Sequence, residues 1–304
     1  MPRFDGVEAT PGSAKPDPIL VVDNIVRRFG GMTAVDVRHL EVQRGAITAL
    51  IGPNGAGKTT FFNLITGFDR PTSTRRWIGG PPAEEVATWT FDGRTLSQAG
   101  ASKVAGLGMV RTFQLTKALS RMTVLENMLL GATDQPGENM AIALVPWLWR
   151  RREREITEKA LDLLRRFALH DKRDDMAGSL SGGQKKLLEM ARALMGDPAM
   201  IMLDEPMAGV NPALTQSLLG HIQALRDDGV TVLFVEHDMH MVRHISDWVV
   251  VMAQGAIIAE GLAGDVMQNP AVVDAYLGAH QDKDLGDDAL LDEDPADLPR
   301  GAQA

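Results

Sequence analysis

The run Gly52-Pro53-Asn54-Gly55-Ala56-Gly57-Lys58-Thr59 fits the pattern G-x-x-x-x-G-K-[ST]. Glycines without side chains let successive backbone N–H groups curl around phosphate oxygens. Lys58 is then placed to reach β- and γ-phosphates, and the Thr59 hydroxyl to ligate Mg²⁺. Thr60, next along, is counted in the same binding run. A chance match somewhere in a chain of this kind has a probability of roughly one percent. A second stretch, Met200 to Pro206, ends an apolar run on two carboxylates. Asp204 suits the Mg²⁺ shell, and Glu205 suits a base that takes a proton from attacking water. Acidic strand ends are common, so this stretch gains weight from Lys58: both predict one nucleotide. A third stretch is Leu180-Ser181-Gly182-Gly183-Gln184. Ser181 and Gly183 sit where an N-cap and bare amides could bind an anion, although alone the stretch reads as a capped helix start.

The flanks supply elements to position these groups. Ala46 to Ile51 reads as a strand running straight into the turn at Gly52. Thr59 to Gly67 reads as the helix that follows, closed by its glycine, with its N-terminus aimed at the phosphates. Met200–Leu203 and Thr231–Val235 are wholly apolar, as in parallel strands buried on both faces. Ile19–Val22 is also strand-like. Strands alternating with helices imply an α/β fold with a doubly wound parallel sheet. From Leu115 to Ala177 the chain reads as mostly helical, with Ile156, Ala160, Leu163, Leu164 and Phe167 at helical spacing. Residues 1–18, rich in Pro, Gly and Ala, read as a flexible arm. The stretch from about 72 to 90, with Gly79-Gly80-Pro81-Pro82 at its middle, reads as a surface insertion.

Composition narrows the classes. The chain has 304 residues, is 44% hydrophobic and contains no cysteine, which excludes disulfides, thiol nucleophiles and thiolate metal sites. The segment 281–304 holds eight acids and two bases, so it carries six of the nine net negative charges and reads as an acidic disordered tail. The remaining body is close to neutral, which gives no electrostatic case for nucleic acid. No run approaches the roughly 20 apolar residues of a membrane span. The longest candidate, Ala141 to Trp149, is interrupted by Pro146. The first residues lack the apolar core of a signal peptide, so any membrane contact is expected through partners.

Six motifs in order resemble the ABC ATPase family: G-P-N-G-A-G-K-T, Gln114 in R-T-F-Q, L-S-G-G-Q, L-D-E-P, M-A-G-V-N-P and E-H-D. The resemblance covers residues 19–280. It implies a P-loop NTPase core with a parallel-sheet RecA-like subdomain, a small antiparallel β subdomain and a helical subdomain at about 115–180. It implies ATP and Mg²⁺ as ligands, held by residues 52–60, Asp204 and Gln114. Gln114 would touch Mg²⁺ and sense a transmembrane partner, and His237 would contact the γ-phosphate. Glu205, His237, Lys58 and Gln114 thus form the catalytic set. Ser181, Gly182, Gly183 and Gln184 would bind the γ-phosphate of ATP held by the opposite subunit, in a head-to-tail dimer. Phe29 lies where the family places an aromatic that stacks on adenine; the other reading is a core residue of the small β subdomain. Asn211 departs from the family's commoner aspartate, which puts that loop's ion-pair role in doubt.

Within the family, the chain is most similar to the ATPases of branched-chain amino acid importers. The residues are R-T-F-Q, M-T-V-L-E-N at 122–127, M-A-G-V-N-P, E-H-D-M, I-S-D at 245–247 and V-D-A-Y-L-G at 273–278. This implies a second ATPase subunit, identical or paralogous, two permeases, an external binding protein and a place on the cytoplasmic face of the membrane. Urea or amide importers and lipopolysaccharide exporters use similar subunits. A soluble ABC machine would carry two motif sets or a long coiled coil, and a non-hydrolysing regulator would lack Glu205. Two further features stay open. His240 and His244 have the spacing of two metal ligands on one helix face but lack the pattern of a zinc protease. Trp147 to Glu155 mixes aromatics with bases, suiting either a membrane interface or a solvated helix start.

Overall fold

A computed structural model of the chain describes residues 4–72, 86–97, 99–112, 119–133 and 146–277, apart from the side chains at 146–149, 212 and 213. Gln114, most of the 72–90 stretch and the acidic tail lie outside the described residues. Two sheets divide the strands. The first is antiparallel, in the order β2-β1-β4-β5, from β1 (Pro18–Phe29), β2 (Met32–Gln43), β4 (Thr88–Phe91) and β5 (Arg94–Thr95). Gly30, at φ 57, supplies the left-handed turn between β1 and β2.

The second sheet has six strands in the order β10-β9-β3-β8-β7-β6. They are β3 (Ile47–Ile51), β6 (Met109–Arg111), β7 (Met200–Asp204), β8 (Thr231–Val235), β9 (Trp248–Ala253) and β10 (Ala256–Gly261). All neighbours pair in parallel except β10, which is antiparallel to β9. Its middle strands are apolar throughout because both faces are covered. Alternate residues enter two cores: Ile201, Leu203, Val249 and Val251 face one, Met200, Met202, Val250 and Met252 the other. The second core also takes the antiparallel sheet and α1 (Lys58–Ile65) through Phe61 and Phe62. The first takes α3 (Val124–Leu129), α4 (Pro146–Arg166), α5 (Gly182–Ala193), α6 (Pro212–Asp227) and α7 (Met239–Ile245). The remaining helices are α2 (Ala101–Gly106), α8 (Ala263–Val266) and α9 (270–277).

Two expectations are corrected. The insertion does not reach residue 90: Thr88–Phe91 is a strand paired with β1, and Trp89 and Phe91 are buried. The described part of the arm, from residue 4 on, is packed against both sheets rather than free. The Phe4 ring stacks on Trp248 with centroids 4.6 Å apart. The Ser13 amide and hydroxyl donate to Glu260 Oε1 at 2.6 and 2.8 Å, and the Lys15 amide donates to Glu41 Oε2 at 2.6 Å. Lys15 Nζ lies 3.4 Å from Glu260 Oε1, with both side chains fully buried. A Pro- and Gly-rich composition signals the lack of a regular element; it says nothing of partners supplied by distant strands.

Candidate functional site

The phosphate loop leaves the carboxyl end of β3, a central strand, which is where open α/β sheets place ligands. Its first glycine is fixed by a close approach: a Cβ on Gly52, at φ 150, would lie 2.0 Å from the Met252 carbonyl oxygen. Gly57, at φ 98, is the N-cap of α1 and passes Ala34 as closely, with 2.3 Å left for a Cβ. The loop therefore turns into α1 with Lys58 as the helix's first residue. Lys58 Nζ donates to the Gly52 and Pro53 carbonyls at 2.6 and 2.9 Å. Burial pushes its ammonium below the usual lysine range, while the charges of Glu205 and Asp204 pull it back up. The lysine and the two carboxylates thus share one electrostatic site.

Asp204 ends β7 and is held by a residue that the sequence reading gave no role there. Arg111 Nη2 donates to Asp204 Oδ2 at 2.6 Å, and Arg111 Nη1 to Asn63 Oδ1 at 2.6 Å. The Arg111 and Asp204 side chains are each only 5% exposed. This ties β6, β7 and α1 together behind the phosphate loop. Glu205 then takes a left-handed conformation, φ 46, which is uncommon for a residue with a side chain. Its amide donates to the Val235 carbonyl at 3.0 Å. Lys186, on α5, donates to the carbonyls of Glu205, Pro206 and Ala208 at 3.4, 2.9 and 2.6 Å. The turn that aims Glu205 is therefore fixed from β8 and from α5.

Glu236 links two more pieces. Its buried carboxylate accepts from the Met207 amide at 3.0 Å and the His237 amide at 3.3 Å. Burial pushes its pKa up, opposed by those two amides. The His237 ring is mostly exposed, with Nδ1 3.7 Å from Glu236. Ser181 caps α5 in a reciprocal box with Gln184: Ser181 Oγ accepts from the Gln184 amide at 3.2 Å, and Gln184 Oε1 from the Ser181 amide at 3.0 Å. Gly183 is buried for a packing reason, since a Cβ there would lie 1.6 Å from Leu214 Cδ2 on α6. Asn211 caps α6, accepting from the Leu214 amide at 2.9 Å. An asparagine side chain does this as well as an aspartate. Phe29 is 49% exposed with the Arg27 guanidinium 4.4 Å over its ring, so the core reading of this residue is wrong.

The oxygen donors of Thr59 and Asp204 suit Mg²⁺, which binds few protein ligands and keeps phosphate and water oxygens. Among the described residues no three His, Cys, Asp or Glu side chains converge as a metal site, so His240 and His244 gain no third ligand. Among them, too, no helix is long and apolar enough to cross a membrane. Arg111, Lys186 and Glu236 are the site residues that sequence reasoning missed. Arg111 and Glu236 stood inside the quoted runs R-T-F-Q and E-H-D, but the reading gave neither a role of its own.

Residues 35–208 match the family described as ABC transporter, and residues 256–282 match the family described as branched-chain amino acid ATP-binding cassette transporter. The chain is 42% identical over 267 residues to a probable branched-chain amino acid transport ATP-binding protein, LivG, of Archaeoglobus fulgidus, covering 88% of this chain and 98% of that one. It is 41% identical to the high-affinity branched-chain amino acid transport ATP-binding protein BraF of Pseudomonas aeruginosa, covering 86% and 98%. Among solved structures, a nucleotide-free ATP-binding cassette from an ABC transporter aligns with a TM-score of 0.70 at 37% identity, covering 85% and 98%. The ADP conformation of an ABC transporter's ATP-binding cassette aligns with a TM-score of 0.70 at 36% identity, covering 86% and 99%.

Proposed function

Because the chain belongs to the ABC transporter family, in its branched-chain amino acid branch, we propose that it hydrolyses ATP with Mg²⁺ and thereby drives import of branched-chain amino acids through partner permeases. The observation that carries the chemistry is Lys58, at the head of α1, in the field of Asp204 and Glu205 at the end of β7. In this reading the amides of residues 52–60 and the Lys58 ammonium hold the triphosphate. Thr59, Asp204 and Gln114 would hold Mg²⁺, which would supply charge stabilisation to the phosphates. Glu205, aimed by its fixed turn, takes the proton of the attacking water, and His237 contacts the γ-phosphate. Phe29 offers its exposed face to adenine.

The Ser181–Gln184 cap of a second subunit completes each site, so two ATPs lie between two head-to-tail chains. Closing excludes bulk water, which strengthens every charge interaction at the γ-phosphate. Closing on ATP and opening after hydrolysis is the two-state cycle that moves the permeases. The chain would work at the cytoplasmic face of the membrane, with an external binding protein delivering cargo.

Glu205→Gln tests the chemistry. ATP binding is expected to persist while phosphate release falls by about 100-fold or more. Phosphate release at the unmodified rate removes Glu205 from its role. Cargo is tested by deleting the gene and measuring leucine and urea uptake. Loss of leucine uptake alone supports the reading; loss of urea uptake alone overturns it.

A further inference from the structure

We propose that Arg111 is a positioning residue for the Mg²⁺ site: its guanidinium sets Thr59 and Asp204 in fixed relation to each other. The inference rests on the reading that these two residues hold Mg²⁺. They stand on different elements, Thr59 in the first turn of α1 and Asp204 at the end of β7. Mg²⁺ demands near-ideal octahedral geometry, so two protein oxygens serve it only when their separation is held.

Arg111 reaches both elements from β6. It lies opposite Met202 in the parallel register, and Asp204, two residues on, faces the same side of the sheet. Arg111 Nη2 donates to Asp204 Oδ2 at 2.6 Å. That bond fixes the carboxylate's rotation, and Oδ1 is then the oxygen offered to an ion. Arg111 Nη1 donates to Asn63 Oδ1 at 2.6 Å. Asn63 follows Thr59 by one helical turn, so the two share a face of α1. The guanidinium is planar and rigid, so its two ends hold the two elements at a set distance. Its room to drift is small: its carbon sits 5.5 Å from the centroid of the buried Phe62 ring, and the side chain is 5% exposed. An ion pair that served folding alone would be strongest with two parallel bonds from the fork to one carboxylate. Here one end goes to α1 instead, which is what alignment of two ligand-bearing elements needs. Partners that stand behind a metal ligand in this way set its orientation, and through it the metal's affinity.

Mn²⁺ is the probe. It is titrated into the full chain saturated with a non-hydrolysable ATP analogue, and protein-bound ion is read from the enhanced relaxation of water protons. Arg111→Lys keeps the charge and loses the fork. Its Mn²⁺ dissociation constant should rise roughly 10- to 100-fold, while the analogue's own dissociation constant, measured in EDTA, stays within about twofold of the unmodified chain's. Asn63→Ala removes the α1 end alone and leaves the buried ion pair whole, so it decides the matter if Arg111→Lys does not fold. Its Mn²⁺ affinity should fall roughly 3- to 10-fold, the range one hydrogen bond commands. Unchanged Mn²⁺ affinity in either folded variant, or an equal loss of Mn²⁺ and metal-free nucleotide affinity, overturns the inference. Thr59→Ala separates it from the reading beneath it. Weakened Mn²⁺ binding there, beside unchanged binding in Arg111→Lys, removes the role of Arg111 alone. Undiminished Mn²⁺ binding in Thr59→Ala removes the ligand reading, and the inference with it.

Discussion

Asp204 and Glu205 are neighbours in different circumstances. Asp204 ends a strand, nearly sealed, with Oδ2 taken by Arg111. Glu205 begins a left-handed turn fixed through its main chain. Removing one partner of a buried ion pair leaves the other charge uncompensated. Arg111→Ala should therefore lower unfolding free energy by about 3–5 kcal/mol, read by denaturant titration. A loss under about 1 kcal/mol would mean that the pair is not buried in solution. Glu236 makes a pH prediction. Its carboxyl is protonated more readily in the fold than in the unfolded chain, because burial raises its pKa. Such a group contributes stability that is present below the ordinary carboxylate range and is lost as pH rises through the raised value. Glu236→Gln, neutral throughout, should flatten the stability profile in that window. Unfolding curves at a series of pH values check it, and identical slopes for both proteins would refute it. Lys58, Asp204 and Glu205 could be singled out in the sequence because each stands in a local pattern, a glycine-rich run before a lysine and an apolar run ending in two carboxylates. Arg111 and Glu236 were not, because their partners sit 93 and 29 residues away and only the sheet brings them together.

The helices show why a glycine can mislead. Leu180 to Gln184 reads as a run of bare amides, yet its two glycines have different surroundings. No described atom lies within 4 Å of a Cβ on Gly182, whereas one on Gly183 would strike Leu214. Gly183→Ala should cost about 1–3 kcal/mol by overpacking α5 against α6, and Gly182→Ala much less. Adding Leu214→Ala to Gly183→Ala should relieve most of the overpacking, which a double-mutant cycle reads as coupling between the two sites. Equal stabilities for the two alanine variants would show that the helices do not meet there. At this scale the buried strands were legible, since a both-faces-covered strand must be apolar along its length. Thr88–Phe91 was lost from the reading because only Trp89 and Phe91 of its four residues point inward and the Gly- and Pro-rich stretch before it dominates the composition.

Two sheets, with α1 between them, make one body, and the N-terminal segment is the strap across it. Residues 13–15 reach Glu41 on β2 of one sheet and Glu260 on β10 of the other. Removing residues 1–17 should expose Trp248, shifting its fluorescence to the red, and should lower stability by at least the roughly 1 kcal/mol of one aromatic pair. Unchanged fluorescence in the shortened chain would mean that Phe4 does not cover Trp248. The doubly wound sheet was legible as strands alternating with helices, but the strap was invisible, because two of its partners, Trp248 and Glu260, lie far along the chain. Ser13 and Glu260 are 247 residues apart. A ribosome releases Ser13 long before it adds Glu260, so a nascent chain must keep Lys15 hydrated until Glu260 emerges, and Phe4 uncovered until Trp248 does. The strap is made early relative to its partners and settles only after them.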